Sequence, residues 1–414
     1  MIQNEPISVE RIAIYSQDGF GLGHMRRTSS IALQMCQMHP NANILTLSDS
    51  PLGQFFPTSA NHDYVKLPSI VKSGPGDWKA SKLTLSTEEI LKMRQQIIVS
   101  ALTSYAPHIL LVDHMPHGAM GELIPALDAL KYSGIGTQVV LGIRDILDDP
   151  QVVINRWTIE GAYDAVEQYY DRVLIYGMKD VYDVVTQYKF PDSIADRVRY
   201  CGYVCNPAIP TSAAEIRARH LAGTSANTRF VVAMAGGGAD AYPMMSALVD
   251  MMVKMQNDQP TVLVLITGPF MSEPLIADLK QRAQGPVIVV ESVNDTLSYI
   301  SAADLTIAMA GYNTSAEILR MKKPAILIPR DGPSAEQRTR ASLFAARRWV
   351  DTIMPEELTP DFLRHKVIGQ LKGSLRGAYA PITRPDLHGV MVAANQILAL
   401  LLPNQEKVFV GQTT

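Results

Sequence analysis

The feature that most constrains this chain is a rhythm. Short aliphatic or β-branched runs alternate with longer stretches of helical period, in two series separated by one break. In the first series, residues 11–16, 44–47, 64–67, 109–112, 139–142 and 173–175 read as strands, with helices such as 27–38 and 88–105 among them. In the second, strands at 230–234, 262–267, 287–291, 305–308 and 325–328 alternate with helices at 242–256, 274–283, 295–301, 314–321 and 335–347. This βαβ alternation implies parallel sheets covered on both faces. The break holds Asn206-Pro207, Pro210 and several Ser, Thr, Gly and Ala, the composition of a connecting segment. The expected fold class is therefore α/β, with two doubly wound domains in tandem. The boundaries are a first domain at 1–204, a linker at 205–228, a second domain at 229–385, and a segment at 386–414. The helical stretch of that last segment, 387–402, is apolar enough to cross back onto the first domain.

Composition narrows the function classes. A length of 414 residues suits two domains, and 47% hydrophobic against 19% charged residues is ordinary for a globular protein. A net charge of −3 supplies no general field for nucleic acid, so no nucleic-acid partner is expected. Cys36, Cys201 and Cys205 are too few, and odd in number, for a disulfide framework. Residues 1–10 lack the basic and apolar regions of a signal peptide, and no apolar run approaches the ~18 residues of a membrane span. The expectation is a soluble cytoplasmic protein, with peripheral membrane contact left open.

Ligands of open α/β sheets bind beyond the carboxyl ends of strands. The first strand runs into Gln17-Asp18-Gly19-Phe20-Gly21-Leu22-Gly23-His24-Met25-Arg26-Arg27 before a helix. Read as a dinucleotide fingerprint, its third glycine falls on His24, which argues against that motif, although Asp49 is available as a ribose-binding acid. The loop fits an incoming molecule better: Gly21 and Gly23 clear space, and His24 is suited to take a proton. Asp113, directly after a strand, is the candidate carboxylate to orient it. Arg26 and Arg144 belong to the same side. Asp113-His114-Met115-Pro116-His117 is weak as a metal set, and no metal or cofactor is expected. Each of these residues also has a plainer use in caps and turns.

The second half is more informative. After one strand come Gly236, Gly237 and Gly238, and after another come Gly311, Tyr312, Asn313, Thr314 and Glu317. Asn313 or Thr314 is placed to cap a helix whose N-terminus faces a phosphate, and Glu317 lies one turn in, able to accept hydrogen bonds from a ribose. Pro329-Arg330 leads to Glu336 and Gln337, both able to recognise sugar hydroxyls.

In this order, the triple glycine, Gly-Tyr-Asn-Thr-x-x-Glu and Pro-Arg-x5-Glu-Gln resemble GT-B glycosyltransferases. They are most similar to the branch of the lipid II-forming N-acetylglucosaminyltransferase and to a group of predicted bacterial glycosyltransferases. The resemblance runs from about residue 11 to 402 and is strongest over 230–348. It implies two Rossmann-like domains facing across a cleft and an inverting, metal-independent transfer from a nucleotide-sugar donor, UDP- or dTDP-linked, to an unidentified acceptor hydroxyl. It implies that Glu317 binds the donor ribose, Gly311 and Thr314 the diphosphate, Gln337 the sugar and backbone near Val293 the base, with His24 as base or acceptor-site group. The sequence departs from that enzyme in its N-terminal loop and at Tyr312. A sugar-nucleotide epimerase, a non-catalytic sugar-nucleotide-binding protein and a dehydrogenase are the competing readings.

Overall fold

The computed structural model describes residues 10–17, 23–50, 59–72, 78–210, 212–255, 258–373 and 381–401. The chain divides into two compact units: one runs to Val204 and resumes at His388, the other is Cys205–Leu387.

The strands of the first unit are β1 (Glu10–Ser16), β2 (Ala42–Ser48), β3 (His62–Lys66), β4 (Ile70–Lys72), β5 (Trp78–Ala80), β6 (Ile109–Asp113), β7 (Gln138–Arg144), β8 (Arg172–Tyr176) and β9 (Val198–Tyr200). Seven form a parallel sheet in the order β3-β2-β1-β6-β7-β8-β9, and β4 and β5 form a separate antiparallel pair. The second unit has β10 (Arg229–Met234), β11 (Thr261–Ile266), β12 (Val287–Val290), β13 (Leu305–Ala308), β14 (Ala325–Leu327) and β15 (Asp351–Thr352), all parallel, in the order β12-β11-β10-β13-β14-β15. The order reverses at β1 and at β10. With right-handed crossovers, that reversal puts helices on both faces of each sheet. Sheets covered on both sides need continuous apolar strands, and every residue of Ile109–Asp113 and of Thr261–Ile266 is buried. Each such Leu or Ile contributes about 1.5–3 kcal/mol of burial.

One segment differs from the sequence reading. Residues 205–228 hold the helix Ala213–His220, which belongs to the second unit. Its Ile216 is buried, Arg217 Nη1 donates to the Ala302 carbonyl at 2.6 Å, and the His220 ring stacks on Phe230 at 5.6 Å. Ser, Thr, Gly and Pro dominate the look of this stretch, but its alanines are the best helix formers. Near the other end, the helix Gly389–Leu398 lies in the first unit. It buries Val390, Ala393, Ala394 and Ile397 and packs on the helix Gly23–Met38. Arg172 Nη1 donates to the Gln396 carbonyl at 2.5 Å.

A buried ionic cluster ties the β4–β5 excursion to the first sheet. Arg94, on the helix Thr87–Tyr105, donates to Glu122 at 2.5 and 2.6 Å, to the Pro68 carbonyl at 2.5 Å and to Asp49 at 3.3 Å. Asp49 is thus buried against an arginine, not presented to a ribose. Among the described residues, no helix is long and apolar enough to cross a membrane.

Candidate functional site

Each sheet has one topological switch point, and the unusual residues gather at both. In the first unit, β1 and β6 pair with Ser16 opposite Asp113, the last residue of each strand. The loop after β1 leads to the helix Gly23–Met38, whose second residue is His24. His24 Nδ1 lies 2.5 Å from Asp113 Oδ2. Arg27, one turn along the same helix, donates through Nε and Nη2 to Asp113 Oδ1 at 3.2 and 3.0 Å and through Nη2 to Oδ2 at 2.7 Å. Burial alone would raise the Asp113 carboxyl, but Arg27 and then His24 hold it well below the ordinary carboxylate range. An ionised carboxylate only accepts, so Nδ1 of His24 carries the proton and donates to Asp113. The 2.9 Å approach of Arg27 Nη2 to Nδ1 then brings two donors together at a shared oxygen. That tautomer leaves Nε2 as the nitrogen that can accept a proton.

His114 follows immediately, in a left-handed conformation at φ 78°. Such strain persists where the surroundings impose it. Its ring lies 5.1 Å from that of His24, and its Nδ1 is buried without a hydrogen-bond partner among the described residues. Burial first, then the charges of Arg144 and His24, push its pKa well below the ordinary histidine value. His117 goes elsewhere, with Nε2 3.5 Å from Glu160. The Tyr176 ring lies 5.4 Å under the Arg27 guanidinium. Arg26, on the Gly23–Met38 helix, and Arg144, the last residue of β7, are half-buried, and Gly21 lies outside the described residues.

In the second unit, Met234 and Ala308 pair at the ends of β10 and β13. The turn after β10 is locked to the end of β11. A Cβ on Gly238, at φ 93°, would stand 2.0 Å from the Thr267 carbonyl oxygen, and one on Gly268 would stand 2.5 Å from that of Gly236. No side chain fits in either place. On its other side, a Cβ at Gly236 would lie 3.9 Å from Thr314 Oγ1, so the glycine turn abuts the first turn of the helix Tyr312–Met321. The N-cap of that helix is Gly311, with no side-chain cap, so Asn313 and Thr314 stand inside the first turn instead of capping it. Gly311 reaches the capping geometry with extended backbone, and the helix begins at Tyr312, two residues sooner than the sequence suggested. Glu317 is buried and accepts from Thr296 Oγ1 at 3.4 Å. Val293 lies just past β12.

The fold has counterparts among solved structures. The fold is GT-B. A glycosyltransferase of kitacinnamycin superposes over 95% of this chain and 99% of its own, with a TM-score of 0.58 at 15% identity. A putative UDP-N-acetylglucosamine 2-epimerase from Listeria monocytogenes matches over 95% and 96%, with a TM-score of 0.61 at 13% identity. Residues 231–397 match the glycosyltransferase family 28 C-terminal domain. By sequence, 138 residues are 30% identical to a UDP-N-acetylglucosamine--N-acetylmuramyl-(pentapeptide) pyrophosphoryl-undecaprenol N-acetylglucosamine transferase of Chlamydia pneumoniae. That match spans 33% of this chain and 39% of the relative.

On this GT-B frame, Glu336 is turned inward instead of toward a sugar. It is buried, its Oε1 accepts from Arg340 Nη1 at 2.9 Å, and Arg340 also donates to the Ala310 carbonyl at 2.8 Å. The pair braces the turn that presents Gly311. Gln337 Oε1 accepts the backbone N–H of Arg330 at 3.1 Å. No role is read from the sequence for Arg27, Gly268 or Arg340, and His114 figures there only as part of a weak metal set. Helical spacing was the available signal for two of them, since Arg27 lies three residues after His24 and Arg340 four after Glu336.

Proposed function

We propose that this chain is an inverting, metal-independent glycosyltransferase that moves a sugar from a nucleoside diphosphate, uridine- or thymidine-linked, to an acceptor hydroxyl in the cytoplasm. The observation that carries this reading is the contact of the Gly236–Gly238 turn with the first turn of the Tyr312–Met321 helix at a switch point. Glycine backbone and a helix N-terminus together make an anion site. Gly237, Gly238, Gly311, Tyr312, Asn313 and Thr314 surround the diphosphate, Glu317 accepts from the ribose, backbone at Val293 meets the base, and Gln337 serves the sugar side.

The acceptor oxygen attacks the anomeric carbon as the bond to the diphosphate oxygen breaks. His24 Nε2 takes the acceptor proton, Asp113 stabilises the imidazolium without itself becoming protonated, and the helix and glycine turns stabilise the charge on the departing diphosphate. The test uses the full chain in a thermal-shift panel of UDP, dTDP, ADP, GDP and NAD. At 100 times its dissociation constant, a binding nucleotide adds about 2.7 kcal/mol. Stabilisation by NAD with none from UDP or dTDP would overturn the donor assignment, and loss of transfer in EDTA rescued by magnesium would overturn metal independence.

The likeness to an epimerase structure favours one second reading. Incubating the chain with a UDP-sugar and no acceptor separates the two by mass and chromatography. A new UDP-sugar of equal mass indicates epimerisation; an acceptor-dependent release of UDP indicates transfer.

A further inference from the structure

The loops on either side of the Gly311 turn are joined by an ion pair. In the sheet order β13 lies between β10 and β14. Asp240 stands two residues past the glycine turn that follows β10, and Arg330 three residues past β14. Arg330 Nη1 donates to Asp240 Oδ2 at 3.2 Å. The contact therefore spans the edge where the Tyr312–Met321 helix begins.

Arg330 is only partly satisfied by this arrangement. Its backbone N–H is held by Gln337 Oε1 at 3.1 Å, which fixes where the side chain starts. Its Nε is buried without a hydrogen-bond partner among the described residues. Nε and Nη2 form the edge of a guanidinium that binds an oxyanion bidentately, and that edge takes no partner from the described residues. A buried N–H left in this way calls for an acceptor. The Asp240 side chain is 44% exposed, and ion pairs of that exposure hold weakly. The neighbouring cation, Arg340, is committed to Glu336 and to the Ala310 carbonyl.

We propose that Arg330 is a specificity-determining residue for the donor: its guanidinium recognises the β-phosphate of a nucleoside diphosphate, in competition with Asp240. The assignment rests on the donor reading above and extends it. Glycine turns and a helix end offer only partial charges to a diphosphate, whereas Arg330 offers a full one and discriminates a diphosphate from a monophosphate. Asp240 sets how much of that charge the donor receives.

The experiment is calorimetry on the full chain with UDP, UMP and pyrophosphate, or the thymidine nucleotides where those bind tighter. Arg330→Met is expected to weaken UDP by roughly 10-fold or more and to leave UMP within about 3-fold. Arg330→Lys, which keeps the charge and loses the fork, falls between, and it stands in for Arg330→Met if that variant does not fold. Asp240→Asn tightens UDP severalfold, and that gain disappears in the Arg330→Met background. Equal weakening of UDP and UMP, or no weakening of either, overturns the proposal. So does pyrophosphate binding as tightly as UDP, which would mark a general anion site. If Glu317→Gln weakens both nucleotides while Arg330→Met weakens neither, the Arg330 assignment alone fails. If the unmodified chain binds neither UDP nor dTDP, the donor reading fails and takes this proposal with it.

Discussion

At the switch point of the first unit the carboxyl edge carries ionisable side chains: His24, Arg27, Asp113 and a strained His114. At the second switch point, on a sheet reversing in the same order, the edge is made of glycine turns and an uncapped helix start. The same scaffold is used for two kinds of chemistry. A cluster of titratable groups holding one histidine tautomer suits proton transfer, whereas backbone N–H groups with no side chains in the way suit an anion that brings its own charge. The difference lies in the loops, since both sheets are built from the same buried aliphatic strands.

The sharpest way to break this contrast is to remove the base. His24→Ala should lower turnover by roughly 10²–10⁴-fold and leave nucleotide affinity unchanged. If calorimetry finds UDP binding abolished instead, the first edge is a nucleotide site and the two edges are not specialised. Next in size, Gly238→Ala places a Cβ 2.0 Å from the Thr267 carbonyl oxygen at φ 93°. It should lose roughly 2–4 kcal/mol in denaturant unfolding. Gly311→Ala, whose Cβ would meet nothing within 4 Å among the described residues beyond its chain neighbours, should lose under about 1 kcal/mol. Comparable losses would mean that the interlock of the two glycine turns is not what holds the second edge. Glu317→Ala should weaken nucleotide binding about 10- to 150-fold, through a lost hydrogen bond to a charged group, while leaving the pH profile of turnover in place.

The smallest effect concerns His114. Its pKa is depressed in the folded chain, by burial before all else. Below the unfolded value of about 6.5, the unfolded chain therefore binds more protons than the folded one. Stability is full above about pH 6.5 and falls as the pH drops, by at most about 1.4 kcal/mol per unit. His114→Asn tolerates the same positive φ and removes the titrating group, so the slope of stability against pH between 5 and 6.5 should flatten by up to one proton. An unchanged slope would show that this histidine titrates like an exposed one.

The sheets were legible because strands buried on both faces are written as uninterrupted aliphatic runs, such as Ile-Leu-Leu-Val at 109–112. His24 and Asp113 drew notice because they follow strands, but their 2.5 Å contact joins residues 89 positions apart and no local pattern encodes it. Arg27 looked like an ordinary helical arginine. The inward turn of Glu336 depends on Arg340 and on a carbonyl 30 residues earlier, so a carboxylate next to a glutamine could be read as sugar-binding. The helix Ala213–His220 was hidden by the turn-forming residues around it. Short β4, β5, β9 and β15 carry two or three residues each, too few for a period to register.

The helix Gly389–Leu398 has a consequence for how this protein is made. Gly389 donates its N–H to the Tyr203 carbonyl at 3.2 Å, so the chain leaves the first unit and returns to it at the same spot. The second unit is thereby a guest inserted into its host. Since domains form as they emerge during synthesis, the host must wait: the groove between the Gly23–Met38 helix and β8 stays uncovered until about 190 further residues have been made. The guest has its whole sequence by then. The second unit can therefore finish folding before the first, although it is encoded later.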